Sequence, residues 1–141
     1  MMFADSSREA LRRRYVTAWQ RRLDGLPLEP LDAAIADVIE LHPEYQPLLT
    51  DPEALDAAFS VEQGRTNPFL HMGLHLGLRE QIATRRPAGI EGIHARLAAR
   101  LGDAHEAEHR MIEVLAETLW EAQRAGRAPD ETAYLERLRR L

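Results

Sequence analysis

The spacing of apolar residues constrains the fold of this chain more than any other feature of its sequence. Apolar side chains recur every three or four positions between breaks at proline and glycine, which is the period of an amphipathic α-helix. No segment shows the alternation of a half-buried strand. The sequence has 141 residues, a length typical of one domain. We therefore predict an all-α fold, a single-domain helical bundle of five to seven helices over residues 1–141.

Proline, glycine and capping residues predict where these helices begin and end. Asn67 and Asp103 are predicted N-caps, because their side chains accept hydrogen bonds from the first free backbone N–H groups of a helix. Gly25 and Gly102 are predicted stops. The predicted helices are residues 6–24, 30–42, a short segment that starts at 51, then 68–84, 90–101, 103–124 and 130–140.

The same periodicity predicts which side chains point inward. Leu11 is predicted inward in the first helix and Leu119 in the helix 103–124. The helix 68–84 is apolar nearly all round, which is typical of a central helix. Its main inward stripe is predicted to be Leu70, Leu74, Leu78 and Ile82.

The chain has no Cys and no Lys. Without Cys, disulfides, thiol chemistry and Cys-ligated metals are excluded. Without Lys, Schiff-base catalysis and a P-loop are excluded. Any metal site must therefore use imidazole and carboxylate ligands.

Charge and targeting patterns exclude further classes. The net charge is −5, which disfavours a nucleic-acid partner. Six Arg and two acidic residues lie in the first 22 positions, and we interpret this basic helix as a solvated face. No apolar run approaches the ~18–20 residues of a membrane span, and no secretory signal is seen. We expect a cytoplasmic protein without a membrane partner.

The histidines are not scattered along the chain. His71 with His75, and His105 with His109, form two pairs four residues apart, where random placement of six His would give about 0.25 such pairs, counted as matches to a helical template. Residues four apart lie on one face of a helix, so that two imidazoles can converge on one ion at about 2.0–2.1 Å. The two pairs therefore predict a metal site.

The predicted directions of these side chains support the same interpretation. His71 falls within the inward arc of its helix and His75 borders it, whereas His105 and His109 flank the inward arc of the later helix. Glu108 falls within that arc, where a buried carboxylate needs a partner, and His42 is inward on its own helix. The candidate metal ligands are His42, His71, His75, His105, Glu108 and His109.

This ligand set predicts a transition metal ion as the cofactor, with zinc and iron as the first expectations, since both bind imidazole and carboxylate. Five His and Glu108 exceed the needs of one four-coordinate ion, so a dinuclear site with Glu44 or Glu113 as a further ligand stays open. Redox and hydrolytic chemistry both stay open as well, and the residues assign no substrate.

Two alternatives use the same residues differently. In the first, the His are hydrogen-bonded core residues of a non-catalytic, oligomeric interaction module, in which Gly73 and Gly77 let another helix approach closely. In the second, residues 105–109 are an H-E-x-x-H zinc hydrolase motif with Glu106 as general base, although the longer form of that signature is missing. His94 has no partner four residues away and is interpreted as a core residue.

Four blocks of the sequence resemble a bacterial family, the domain of unknown function 1841. They are HPEY at 42–45, TNPFLHMGLHLGLREQ at 66–81, GDAHEAEHRM at 102–111 and the tail around PDETAYLERLR at 129–139. The resemblance spans nearly the whole chain and implies a small bacterial protein. It implies no reaction, because the family has none assigned. The blocks coincide with the histidines singled out above.

Overall fold

The computed structural model describes residues 2–51 and 67–141. These residues contain six α-helices and two 3₁₀ turns. No strand occurs in these residues, and the predicted all-α fold is confirmed. The short helix predicted from position 51 lies outside them. The elements are α1 Met2–Leu23, α2 Pro30–Glu40, 3₁₀ turns at Pro43–Tyr45 and Pro47–Thr50, α3 Pro68–Thr84, α4 Ile90–Leu101, α5 Ala104–Ala125 and α6 Glu131–Arg139.

The chain divides into an N-terminal unit, Met1–Gly73, and a C-terminal unit, Leu74–Leu141. Helix α3 begins in the first unit and ends in the second. The expectation that the two units form a single domain stays a prediction. Among the described helices, none combines the length and the apolarity that a membrane crossing requires.

In the N-terminal unit, α1 packs against α2 through buried aromatic and aliphatic side chains. Tyr15 and Trp19 are buried on α1, and Ile35 and Ile39 on α2. The prediction for Leu11 is wrong, since its side chain is 55% exposed. Arg12 is buried in its place, with its guanidinium 4.8 Å from the ring centre of Phe69, and this cation–π contact offsets part of the cost of burying the charge.

On α1, Arg13, Arg14 and Arg22 form ion pairs with carboxylates. Arg14 contacts Asp32 at 2.8 Å and Arg22 contacts Asp37 at 2.9 Å, so both link α1 to α2. Exposed pairs of this kind contribute at most about 1 kcal/mol each. Arg13 and Arg14 thus agree with the interpretation of a solvated basic face, whereas the buried Arg12 does not.

In the C-terminal unit, α4 and α5 form a helical hairpin, and α6 packs against both. Gly102 ends α4 with a φ of +71°, a conformation that glycine adopts without strain. The Asp103 side chain then accepts hydrogen bonds from the backbone N–H groups of His105 and Glu106, which confirms the predicted start of α5. The buried core of this unit comprises Leu78, Ile90, Ile93, Leu97, Ala107, Met111, Ile112, Leu115, Tyr134 and Leu138.

The inward face of α3 differs from the predicted stripe. Met72, His75 and Leu78 are fully buried, whereas Leu70 is 62% exposed. The prediction for Leu70 is wrong because α3 is apolar nearly all round, so that its own periodicity cannot select the buried face. Gly77 is exposed, and a Cβ added there would meet nothing within 4 Å. The close helix approach expected at Gly77 is therefore not seen among the described residues.

Candidate metal centre

Three histidines of the C-terminal unit lie side by side. His75 comes from α3, and His105 and His109 come from α5; one ring nitrogen of each lies within 4.8 Å of the others. The ring centres are 5.2 Å apart for His75 and His105, 4.9 Å for His75 and His109, and 4.2 Å for His105 and His109. His75 is fully buried, and the other two are half-buried. We call these three residues the histidine cluster.

Local sequence explains how α5 contributes its two imidazoles. The Asp103 cap accepts the N–H of His105 at 2.8 Å, so that the helix begins at Ala104 and His105 lies in its first turn. His109 follows one turn later on the same face. The capping residue and the spacing of the pair thus determine this part of the cluster within one helix.

Glu108 links His75 of the histidine cluster to the guanidinium group of Arg79. Its Oε1 accepts hydrogen bonds from the Nδ1 of His75 at 3.1 Å and from the Nε of Arg79 at 2.9 Å, and its Oε2 accepts from the Nη2 of Arg79 at 3.1 Å. The Glu108 side chain is 8% exposed. Both carboxylate oxygens are therefore engaged, and the buried negative charge faces the guanidinium fork of Arg79.

The protonation of this group follows from its partners. Burial works to raise the pKa of Glu108, but the hydrogen bonds from His75 and Arg79 and the charges of Arg79 and His75 outweigh burial and lower the pKa to about 2. Glu108 is thus ionised at neutral pH and can only accept hydrogen bonds. In a neutral His75 imidazole the proton between the two groups is held on Nδ1, and Nε2 is then the nitrogen whose lone pair could bind a metal.

The two remaining histidines among the predicted ligands, His42 and His71, lie in the N-terminal unit. His42 is buried, and its Nδ1 donates a hydrogen bond to the carbonyl oxygen of Val38 at 2.7 Å. Its ring stacks on Tyr45 with the centres 5.3 Å apart and meets the ring of His71 edge-on at 5.1 Å. The structure therefore places His42 and His71 beside each other, with a tyrosine against both rings.

Arg79 is the residue of this site that the sequence reasoning missed. A signal for it was available, because Arg79 follows His75 by four residues on the same face of α3, and the buried Glu108 required a partner. The buried carboxylate was recognised, but its cation lies 29 residues away in the chain. Only the packing of α3 beside α5 identifies which Arg it is.

The H-E-x-x-H interpretation gains nothing from the geometry. Glu106 forms an ion pair with Arg110 at 3.4 Å, and both side chains are about half exposed. This is an ordinary pair at i, i+4 on a helix surface. Glu44 and Glu113, the further ligands considered for a dinuclear site, are both exposed.

The family assignment rests on nearly the whole chain. The profile of the domain of unknown function DUF1841 matches residues 7–140. The chain belongs to this family. The resemblance seen in the four sequence blocks is thereby confirmed, and the family has no assigned activity. No curated protein and no solved structure matches the chain.

Proposed function

We propose that this DUF1841 protein binds a divalent transition metal through His75, His105 and His109. The observation that carries the proposal is the convergence of three imidazole nitrogens within 4.8 Å on two different helices. Hydrogen-bonded core histidines have no reason to converge in this way, since each needs only one or two partners of its own.

The distances fit a metal centre after a small adjustment. Two nitrogens bound tetrahedrally to one ion at about 2.0–2.1 Å lie about 3.3 Å apart. The widest pair of the cluster would therefore close by at most about 1.5 Å, measured against 4.8 Å. Rotation of the rings of His105 and His109 can supply a movement of this size, because both side chains are only partly buried.

Glu108 and Arg79 are assigned the role of orienting His75 rather than binding the ion. Metal-ligating histidines typically donate their second ring N–H to a carboxylate, which sets the tautomer and raises the basicity of the ligating nitrogen. The contact between Glu108 and His75 has this form, and Arg79 holds the carboxylate in place. The charges of Glu108 and Arg79 cancel. The ion would therefore be bound by three neutral imidazoles, without a net negative charge beside it.

The donor set limits which metals fit. Three imidazoles without a thiolate suit Zn, Cu, Fe and Ni, and the magnesium and calcium ions, which prefer oxygen ligands, do not fit. Zinc and iron remain our first expectations among these. His42 and His71 remain predicted ligands on the strength of the sequence pattern, and the experiment below includes them.

The test is a metal titration of the chain without a purification tag. Protein stripped with a chelator is loaded with Zn²⁺ or, without oxygen, with Fe²⁺, desalted, and analysed for bound metal. We expect about one ion per chain, and a gain in melting temperature because the ligand binds the folded state. Less than about a tenth of an ion per chain after loading would refute the proposal.

Single substitutions identify the ligands. His75→Ala, His105→Ala and His109→Ala are each expected to weaken binding at least 100-fold, and Glu108→Gln by about 10–100-fold. His94→Ala is the matched control, since His94 lies on α4 outside the cluster. Equal loss in the control would contradict the assignment. Loss in His42→Ala or His71→Ala would extend the ligand set, and unchanged binding would remove that residue from it.

A further inference from the structure

A second concave site lies in the C-terminal unit, further along α5. It is a cavity of about 580 Å³ between the end of α3, the middle of α5 and the loop that leads into α6. Its walls include Leu115 and Leu119, which are six and ten residues beyond His109, or about 9 and 15 Å along the helix axis. Its volume is within the range of about 300–1,000 Å³ that is typical of small-molecule sites.

The walls of this cavity are largely apolar. Leu115, Leu119, Pro87 and Pro129 line it, and the buried ring of Tyr134 lies against it. Leu119 was predicted to be a core residue, and that prediction is wrong, because its side chain is 43% exposed. Leu119 faces this open cavity instead of a neighbouring helix, which explains why an inward-facing position keeps so much exposed surface.

A polar pair lies at one side of the cavity. The Tyr134 hydroxyl donates a hydrogen bond to the Oε1 of Gln81 at 2.7 Å, and both residues line the cavity. This bond holds the Gln81 amide in place at the cavity wall. The cavity thus has a hydrogen-bonded polar pair beside largely apolar walls, and a few polar groups among apolar walls are the usual composition of a ligand site.

Two charged residues line the cavity, and Arg137 lies near enough to one of them, Asp130, to interact with its charge. Asp130 and Glu131 are the charged residues that line it, and both are acidic. One oxygen of Asp130 accepts the backbone N–H of Ala133 as the cap of α6, so Asp130 is held at the rim by the helix itself. Acidic groups beside an apolar wall favour a cation that carries an apolar body.

We infer that this cavity is a binding site for a small organic amine, with its apolar body against Leu115, Leu119 and Tyr134 and its ammonium group beside Asp130 and Glu131. The site is independent of the proposed metal centre, since the two share no residue. The choice of a cation follows from the two carboxylates, and the choice of an apolar body follows from the leucine and proline walls.

The experiment compares three probes of one shape and different charge. The chain labelled with ¹⁵N is titrated with phenethylamine, phenethyl alcohol and phenylacetate at low ionic strength, and amide chemical shifts are followed by NMR. We expect shifts at Leu115, Leu119 and Thr132, with the amine bound about tenfold more tightly than the alcohol, as two partly exposed carboxylates would give. Equal affinity for all three, tighter binding of phenylacetate, or no localised shifts would overturn the inference.

Two variants with matched controls test the roles of charge and wall. Glu131→Gln is expected to weaken binding of the amine about threefold and to leave the alcohol unaffected, whereas Glu117→Gln, an exposed site on α5 outside the cavity, changes neither. Leu119→Arg is expected to abolish binding of the amine, and Trp120→Arg, which is also exposed but outside the cavity, to preserve it. Equal effects of a variant and its control would contradict the site.

Discussion

Glu108→Gln removes the negative charge that joins Arg79 to His75 while it preserves the size of the side chain. The carboxylate has a pKa of about 2 in the folded protein and an ordinary value of 4.5. At about 1.4 kcal/mol for each pKa unit, this difference corresponds to about 3 kcal/mol of folding free energy at neutral pH. The magnitude agrees with the 3–5 kcal/mol that typically follows the loss of one partner of a buried ion pair.

The sign of the pH dependence follows from the lowered pKa. A carboxyl group whose pKa is lower in the folded state stabilises the fold fully at pH values above 4.5, and this contribution is lost as the pH falls towards 2. The free-energy difference between the wild-type chain and Glu108→Gln is therefore expected to decrease from about 3 kcal/mol at pH 7 to about 1 kcal/mol at pH 3. The two proteins should become equally stable near pH 1, if both still fold.

Urea denaturation in the presence of a chelator measures this difference at each pH without a contribution from bound metal. Glu113→Gln is the matched control, because Glu113 lies on the same helix but is exposed. We expect the control to change the free energy of unfolding by less than about 0.5 kcal/mol at any pH. A difference for Glu108→Gln that stays constant from pH 7 to pH 3 would refute the reasoning.

Three further predictions concern the helices that carry the site. Gly77→Ala is expected to raise the free energy of unfolding by about 1 kcal/mol, because an added Cβ meets nothing within 4 Å; a loss of stability would show that α3 packs closely there. Asp103→Ala is expected to lower it by about 1 kcal/mol and Asp103→Asn by much less, since Asn retains the cap; equal losses would contradict the capping role. Met111→Ala, at a fully buried position, is expected to lower it by about 2–5 kcal/mol, and urea denaturation that shows under 1 kcal/mol would contradict its place in the core.

Local signals in the sequence predicted the bounds of α3, α4 and α5 to within one residue, because a helix boundary depends on groups within a few residues of it. Asp103 caps α5, Gly102 ends α4 and Asn67 accepts the backbone N–H groups of Phe69 and Leu70 at the start of α3. Each of these contacts spans two to four residues. They follow from the chemistry of one side chain or from the conformational freedom of glycine.

The sequence by itself also determined what chemistry the candidate site can have. The absence of Cys left imidazole and carboxylate as possible ligands, and the spacing of His105 and His109 placed two imidazoles on one helix face. That much follows from helical periodicity alone.

Only the tertiary structure decided which groups meet. Periodicity favoured His71 as the inward member of its pair, whereas His75 is the fully buried one and adjoins His105 and His109. A helix that is apolar on nearly all sides can bury any of its faces, so the choice depends on the shapes of its neighbours and not on its own sequence. The same holds for Glu108, because a buried charge requires a partner but does not specify it, and Arg79 became that partner only when α3 and α5 came together.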